Sequence, residues 1–427
     1  MFIDEIKLEN FRGLGEIELN FDEHINLLVG VNGIGKSSVL EAMGIMLSTF
    51  TNRVKGTPGA SKKLTNDDIK SGSDVLNASL YMQFNGEPLT WSITRFSKDH
   101  GSGKNQSSEL GSLNKVLKPL SITLNNEAKN EDYQTSVPLV AYYSVHRLFR
   151  GKSKSDEKSI QKINYAPLEA YEKSVSIDGV YFNSLSNWFG YRQRFLDKKY
   201  NEDSISNDAQ LNAIEKAITV FLPEFKDLKY DDKQEELVIH KNHEILKLKQ
   251  LSDGELCLIA LIADIARRLA IANPALNNPL HGKAVILIDE IDLHLHPGWQ
   301  RKLIANFRRT FPNTQFIFST HSPQMIGHVE PKHIWLFNRV NKEVIAYRPE
   351  KSLGMDSNSI LLQYLGVDER EPDTKSELSR LFIHIEENEL EQAENLINML
   401  INKCGNIDEL RRAKAIIKRK RLLELDQ

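Results

Sequence analysis

The stretch GVNGIGKS, residues 30–37, decides the fold, because it completes the pattern G-x-x-x-x-G-K-[ST]. An apolar run, INLLV at 25–29, leads into it, and SVLEAMGIMLSTF continues from it as a helix. Strand, loop and helix in that order are the context in which the pattern cradles phosphate. Gly30, Gly33 and Gly35 allow the tight wrap that points backbone N–H groups at phosphate oxygens. The positive end of the following helix adds to the attraction. Lys36 is expected to reach the β- and γ-phosphates, and the Ser37 hydroxyl to sit on Mg²⁺. Asn32 and Ser38 belong to the same expected nucleotide contacts. The chain reads as a nucleotide-binding protein.

Four further words narrow the chemistry. LSDGE at 251–255 precedes an apolar helical run, so Ser252 and Gly254 open a helix and offer a hydroxyl and free N–H groups to an anion. AVILIDE at 284–290 is a buried type of parallel strand that ends in two adjacent carboxylates. Asp289 is placed to hold a hard metal ion, and Glu290 to take a proton from an attacking water. LHLHP follows at 293–297, then a second apolar strand, FIFST at 316–320, closed by His321. His321 could report the γ-phosphate by hydrogen bond.

This ordered set resembles the ATP-binding-cassette class: Walker A, LSxGE signature, Walker B with its catalytic Glu, D-loop and switch His. LENFRG at 8–13 and GVNGIGKSS at 30–38 resemble the chromosome-maintenance and RecF-like branch. The resemblance implies ATP and Mg²⁺ as cofactors, with Ser37 and Asp289 on the metal. It also implies a head-to-head dimer or higher homo-oligomer, in which Ser252 acts on the partner head's γ-phosphate. Arg12 would lie near the nucleotide of its own head. One expected part is missing, a glutamine loop between Walker A and the signature. PLVAYYSV at 138–145 is followed by His146 and Arg147, and Gln83 in LYMQF is a second weak candidate.

The expected fold is α/β: a cassette-type head with a mixed sheet, an N-terminal antiparallel β subdomain, a helical insertion between Walker A and signature, and a helical C-terminal tail. Expected divisions are 1–150 for the lobe with Walker A, 151–230 for a mostly helical insertion, 231–350 for the lobe with signature, Walker B and switch His, and 351–427 for the tail. Sustained heptads and a C-x-x-C hook are absent, so no long coiled coil is expected. No apolar run is long enough to span a bilayer, no signal peptide is visible, and two cysteines suit a reducing cytosol, so a cytoplasmic location is expected. Residues 97–112 and 52–73 read as polar surface loops.

His294 and His296 have metal-like spacing but fall at the D-loop position, and IHKNHE at 239–244 fits a strand pair better than a nuclease motif. The formal net charge of −3 does not announce a nucleic-acid binder. Basic patches at 147–158 and 192–199, the latter beside Trp188, Phe189 and Tyr191, leave DNA contact open against a solvated face. The tail, from SLGMDSNSILLQYLGV at 352–367 through helices to RRAKAIIKRKR at 411–421, resembles the ATPase subunits of Septu-type antiphage systems, the PtuA family, some of them retron-linked. That resemblance implies a separate small HNH-type nuclease as partner, with docking on the tail. The expected function is an ATP-hydrolysing subunit that controls or positions this nuclease. A RecF-like DNA-repair ATPase and a slow nucleotide-sensing scaffold are the alternatives.

Overall fold

Four runs without a charged side chain, Ile25–Val29, Leu139–Tyr143, Ala284–Ile288 and Thr314–Thr320, are buried at every position. Strands buried on both faces pair in parallel under covering helices, and these four do so. The structure, a computed structural model, describes residues 1–97, 105–145, 166–175, 182–199, 208–368 and 370–425. In it the central sheet runs Glu343–Tyr347, Ile334–Val340, Ile25–Val29, Thr314–Thr320, Ala284–Ile288, Leu139–Tyr143. All neighbours are parallel except the edge hairpin of Ile334–Val340 with Glu343–Tyr347. Val29 pairs with Thr320, and Ile288 with Phe318, so three strands end together along one edge. Ligands of open parallel sheets bind outside that edge.

Two helices cover this sheet with little exposed surface. Lys36–Val54 leaves the phosphate loop and is buried along most of its length, while Asp253–Ala272 is buried from Gly254 to Ala272. Phe307 of helix Pro297–Thr310 sits among aromatics, 4.7 Å from Phe316 and 4.9 Å from Phe221 between ring centroids. A five-stranded antiparallel sheet, in the order Glu16–Asn20, Phe2–Glu9, Val75–Phe84, Glu87–Phe96, Gln106–Glu109, accompanies the core. Val75–Phe84 alternates half-buried and buried positions, as a strand with one face on a core must. A smaller antiparallel sheet of Phe225–Asp231, Glu236–Lys241 and Glu244–Lys247 precedes the signature, and the IHKNHE segment is its hairpin. No helix of the described residues is long and apolar enough to cross a membrane.

Met1–Ser357 forms one unit and Asn358–Gln427 another. The second unit has its own core: helices Pro372–Glu386, Leu390–Cys404 and Asp408–Leu425 meet through Leu381, Ala393, Ile397, Leu400, Leu410 and Ile417.

Three surface expectations need correction. Within 97–112, Gln106–Glu109 is a strand paired with Glu87–Phe96, because its alternating polar side chains suit an exposed edge; residues 98–104 lie outside the described residues. The 52–73 stretch is anchored by Asp68, which is buried and caps a short turn at Thr65. Trp188 and Phe189 are buried, so they are not free to stack on bases, and Arg192 and Arg194 are paired with Asp208 and Asp232. The basic stretch 147–158, with His146, lies outside the described residues.

Candidate nucleotide site

The phosphate loop leaves Val29 and closes on Lys36 through three glycines of positive φ. Gly35 is the tightest: its φ is +113°, and a Cβ there would stand 2.6 Å from Leu14 Cδ2. Any other residue would strain the backbone and push on the neighbouring wall. The Lys36 ammonium folds back on the loop, donating to the carbonyls of Gly30 at 2.8 Å and Val31 at 3.0 Å. Burial pushes its pKa down, while Asp289, Glu290 and Asp292 pull it back up. A desolvated cation held over a ring of N–H groups is a prepared anion site.

Across the sheet edge, Ser37 Oγ donates to Asp289 Oδ1 at 3.1 Å, and Ser319 Oγ donates to the same oxygen. Asp289 is 1 % exposed. Ser319 also accepts from the Glu290 N–H at 2.7 Å, so one hydroxyl holds the Asp289 carboxylate and the Glu290 backbone at the strand end. Glu290 has a φ of +45°, rare for a residue with a side chain, and its side chain lines the cleft. That cleft, about 210 Å³, is walled by Asn32, Gly33, Gly35, Lys36, Ser37 and Ser38, with Gly13, Leu14, Arg339 and Val344 completing it.

Other expected residues stand apart from this cleft. The Arg12 guanidinium pairs with Glu41 at 2.5 Å and with Asp68 at 3.0 Å, and its neighbours Gly13 and Leu14 line the cleft instead. His321 lies 3.6 Å from Asp292, which accepts from Thr320 Oγ1 at 2.6 Å, and is not among the lining residues. Gln83 bonds Asp4 in the antiparallel sheet, away from the cleft. His296 caps helix Pro297–Thr310 through Gly298, a structural role that needs no metal.

Ser252 caps its own helix in a reciprocal box: its hydroxyl donates to Glu255 Oε2 at 2.8 Å and accepts from the Glu255 N–H at 3.3 Å. Burial alone would raise the Glu255 pKa; bonds from Lys241 and Ser252 hold it below its ordinary value. Gly254 lies so close to the D-loop that an added Cβ would be 2.3 Å from the His294 carbonyl oxygen. Neither Ser252 nor Gly254 lines the cleft of its own chain.

Sequence reasoning missed Ser319 and Arg339. Ser319 carried a signal, a hydroxyl inside an apolar strand that ends beside Walker B; Arg339 carried none, since only the hairpin register brings it to the loop.

Loop, paired carboxylates and parallel sheet together define a phosphate-loop ATPase. The chain belongs to the family described as "AAA domain, putative AbiEii toxin, Type IV TA system", which matches residues 25–326. It is 29% identical to "Retron Ec83 probable ATPase" of Escherichia coli, over 87% of this chain and 78% of that one. "Retron Vc95 probable ATPase" of Vibrio cholerae serotype O1 biovar El Tor is 26% identical over 79% of this chain and 73% of its own length. "Septu protein PtuA" of Bacillus mycoides (strain KBAB4) is also 26% identical, over 90% of this chain but 47% of that longer protein.

Proposed function

We propose that this chain is the ATP-hydrolysing subunit of an antiphage defence complex, in which it controls or positions a separate HNH-type nuclease in the cytoplasm. The observation that carries the ATPase chemistry is the convergence of Ser37 and Ser319 on buried Asp289, directly behind a cleft that Ser37, Glu290 and the phosphate loop line. The cleft-lining Ser37 hydroxyl, bonded to the buried Asp289 carboxylate, supplies with it two hard oxygen donors that fit a Mg²⁺ ion. Bound there, the ion would offset charge on the β- and γ-phosphate oxygens.

Lys36 leaves the Gly30 and Val31 carbonyls to bond the phosphates. Glu290, its backbone fixed by Ser319, accepts the proton of the attacking water. The absence of Ser252 and Gly254 from their own chain's cleft supports a head-to-head dimer, in which each signature completes the facing site. Similarity to retron and Septu proteins over most of this chain supports the defence assignment.

Docking falls to the second unit. A groove of about 390 Å³ there is lined by Ile397, Ile417 and Leu422, by Asn398, Lys414 and Lys418, and by Arg421 paired with Glu394. Its apolar residues with Lys414 and Lys418 beside them fit an acidic amphipathic helix of the nuclease.

Glu290→Gln should keep ATP binding, slow hydrolysis by at least about a hundredfold, and accumulate the closed dimer. Normal turnover in that variant would remove Glu290 from the base role. Lys36→Ala should lose nucleotide binding altogether. Native mass spectrometry of the chain expressed with its neighbouring reading frames tests the complex. A stoichiometric small nuclease that is lost in Lys414→Glu/Lys418→Glu, with ATP turnover unchanged, is the expected result; an ATP-dependent dimer alone would favour a stand-alone repair ATPase.

A further inference from the structure

The phosphate loop accounts for one end of the nucleotide, and the remaining cleft wall has to meet the ribose and base. That wall consists of Gly13, Leu14, Ile34, Val344 and Arg339. Among the described residues no Phe, Tyr, Trp or His lines the cleft, so none of them offers an aromatic ring to stack on a base. Of those lining residues Arg339 carries the one extended planar group. Strand Ile334–Val340 runs parallel to Ile25–Val29 with Leu336 beside Val29, and the Phe337 carbonyl lies against Gly30, 2.8 Å from where a Cβ would stand. Arg339 is two residues further on, directly beyond the start of the loop, and pairs across the hairpin with Val344. Its backbone N–H donates to Asn338 at 2.7 Å, its side chain is exposed, and among the described residues its guanidinium makes no ion pair.

We propose that Arg339 is a nucleotide-binding residue whose guanidinium plane stacks on the base, with Val344 and Leu14 as the apolar seat beside it. A planar, weakly hydrated cation does this where a lysine cannot. Stacking is indifferent to the identity of the ring. The site should therefore take GTP within a few-fold of ATP, with most of the binding carried by the phosphates. This inference rests on the ATPase reading and adds the group that holds the base.

The test is equilibrium binding to the full chain with Mg²⁺, using ATP, GTP and inorganic tripolyphosphate as probes. Arg339→Ala should weaken ATP and GTP alike by about 5- to 20-fold and leave tripolyphosphate within about twofold. Arg339→Lys should fail to restore the loss. Equal weakening of tripolyphosphate, or full recovery with lysine, would reassign the contact to a phosphate and overturn stacking. An unchanged ATP affinity in Arg339→Ala would make the side chain a solvated surface group and end the proposal. Failure of the unsubstituted chain to bind ATP would instead sink the ATPase reading itself, so the two failures are distinct. Because Arg339 lies on an exposed hairpin, the alanine variant keeps its fold, which the melting temperature verifies.

Discussion

At Gly254 an added methyl group meets backbone rather than a side chain. The obstacle is the His294 carbonyl oxygen, 2.3 Å from the added carbon, and a backbone group cannot rotate away as a side chain does. His294 itself has a φ of +63°, so the D-loop has little freedom to yield. Gly254→Ala should therefore lower stability by about 1–3 kcal/mol and reduce ATP turnover, as overpacking does. Gly111→Ala, with nothing within 4 Å of the new carbon, is the matched control and should leave the melting temperature alone. An equal melting temperature for both variants would refute the contact. The sequence showed this glycine only as part of a helix start. The close approach that requires it comes from a segment far along the chain, which no local pattern encodes. That Lys36 and Ser37 come beside Asp289 and Glu290 could be expected from adjacent letters at two strand ends; Ser319 offered only a hydroxyl inside an apolar strand, and Arg339 nothing, because the sheet register brings it in.

Helix Asp253–Ala272 was legible as buried from its apolar letters, yet four of its charged residues, Glu255, Asp264, Arg267 and Arg268, are buried with it. Asp264 accepts from Arg267 and Arg268 and from the Tyr143 hydroxyl at 2.9 Å, which ties the helix to the edge strand of the parallel sheet. Arg268 also donates to the carbonyls of Ala170 and Glu172. Burial alone would push the Asp264 carboxyl up, but Arg268 and then Arg267 carry it well below the usual carboxylate range. A depressed folded-state pKa contributes stability that is complete above the unfolded value, 3.8, and is lost as the pH falls below it. Asp264→Asn leaves two buried guanidinium groups uncompensated and should cost about 3–5 kcal/mol at neutral pH. The gap between the two proteins in urea unfolding should narrow below pH 3.8; a gap independent of pH there would disprove the assignment. Nothing in the letters DIARR announced this cluster, since a helix surface commonly carries such charges in solvent.

At the scale of the molecule, the order of the motifs was enough to foresee a parallel sheet with its loops at one edge, because all three site-bearing strands must run the same way. The hairpin of Ile334–Val340 with Glu343–Tyr347 enters the cleft wall because of where the sheet places it. The two units have separate cores, and the cleft is built wholly from the first. A chain ended after Ser357 should accordingly keep its ATP affinity while losing the nuclease, as measured by binding and by co-purification. Loss of ATP binding on that truncation would show that the second unit supports the first.

With Glu290 as the proposed base, heat resistance and turnover pull in opposite directions at this position. Its φ of +45° costs about 1–2 kcal/mol that glycine would not incur. Glu290→Gly should therefore melt higher than the parent while hydrolysing almost nothing. A laboratory selection that scores only survival at elevated temperature would enrich silent enzymes at this codon, so any thermostable variant has to be chosen under simultaneous demand for phosphate release.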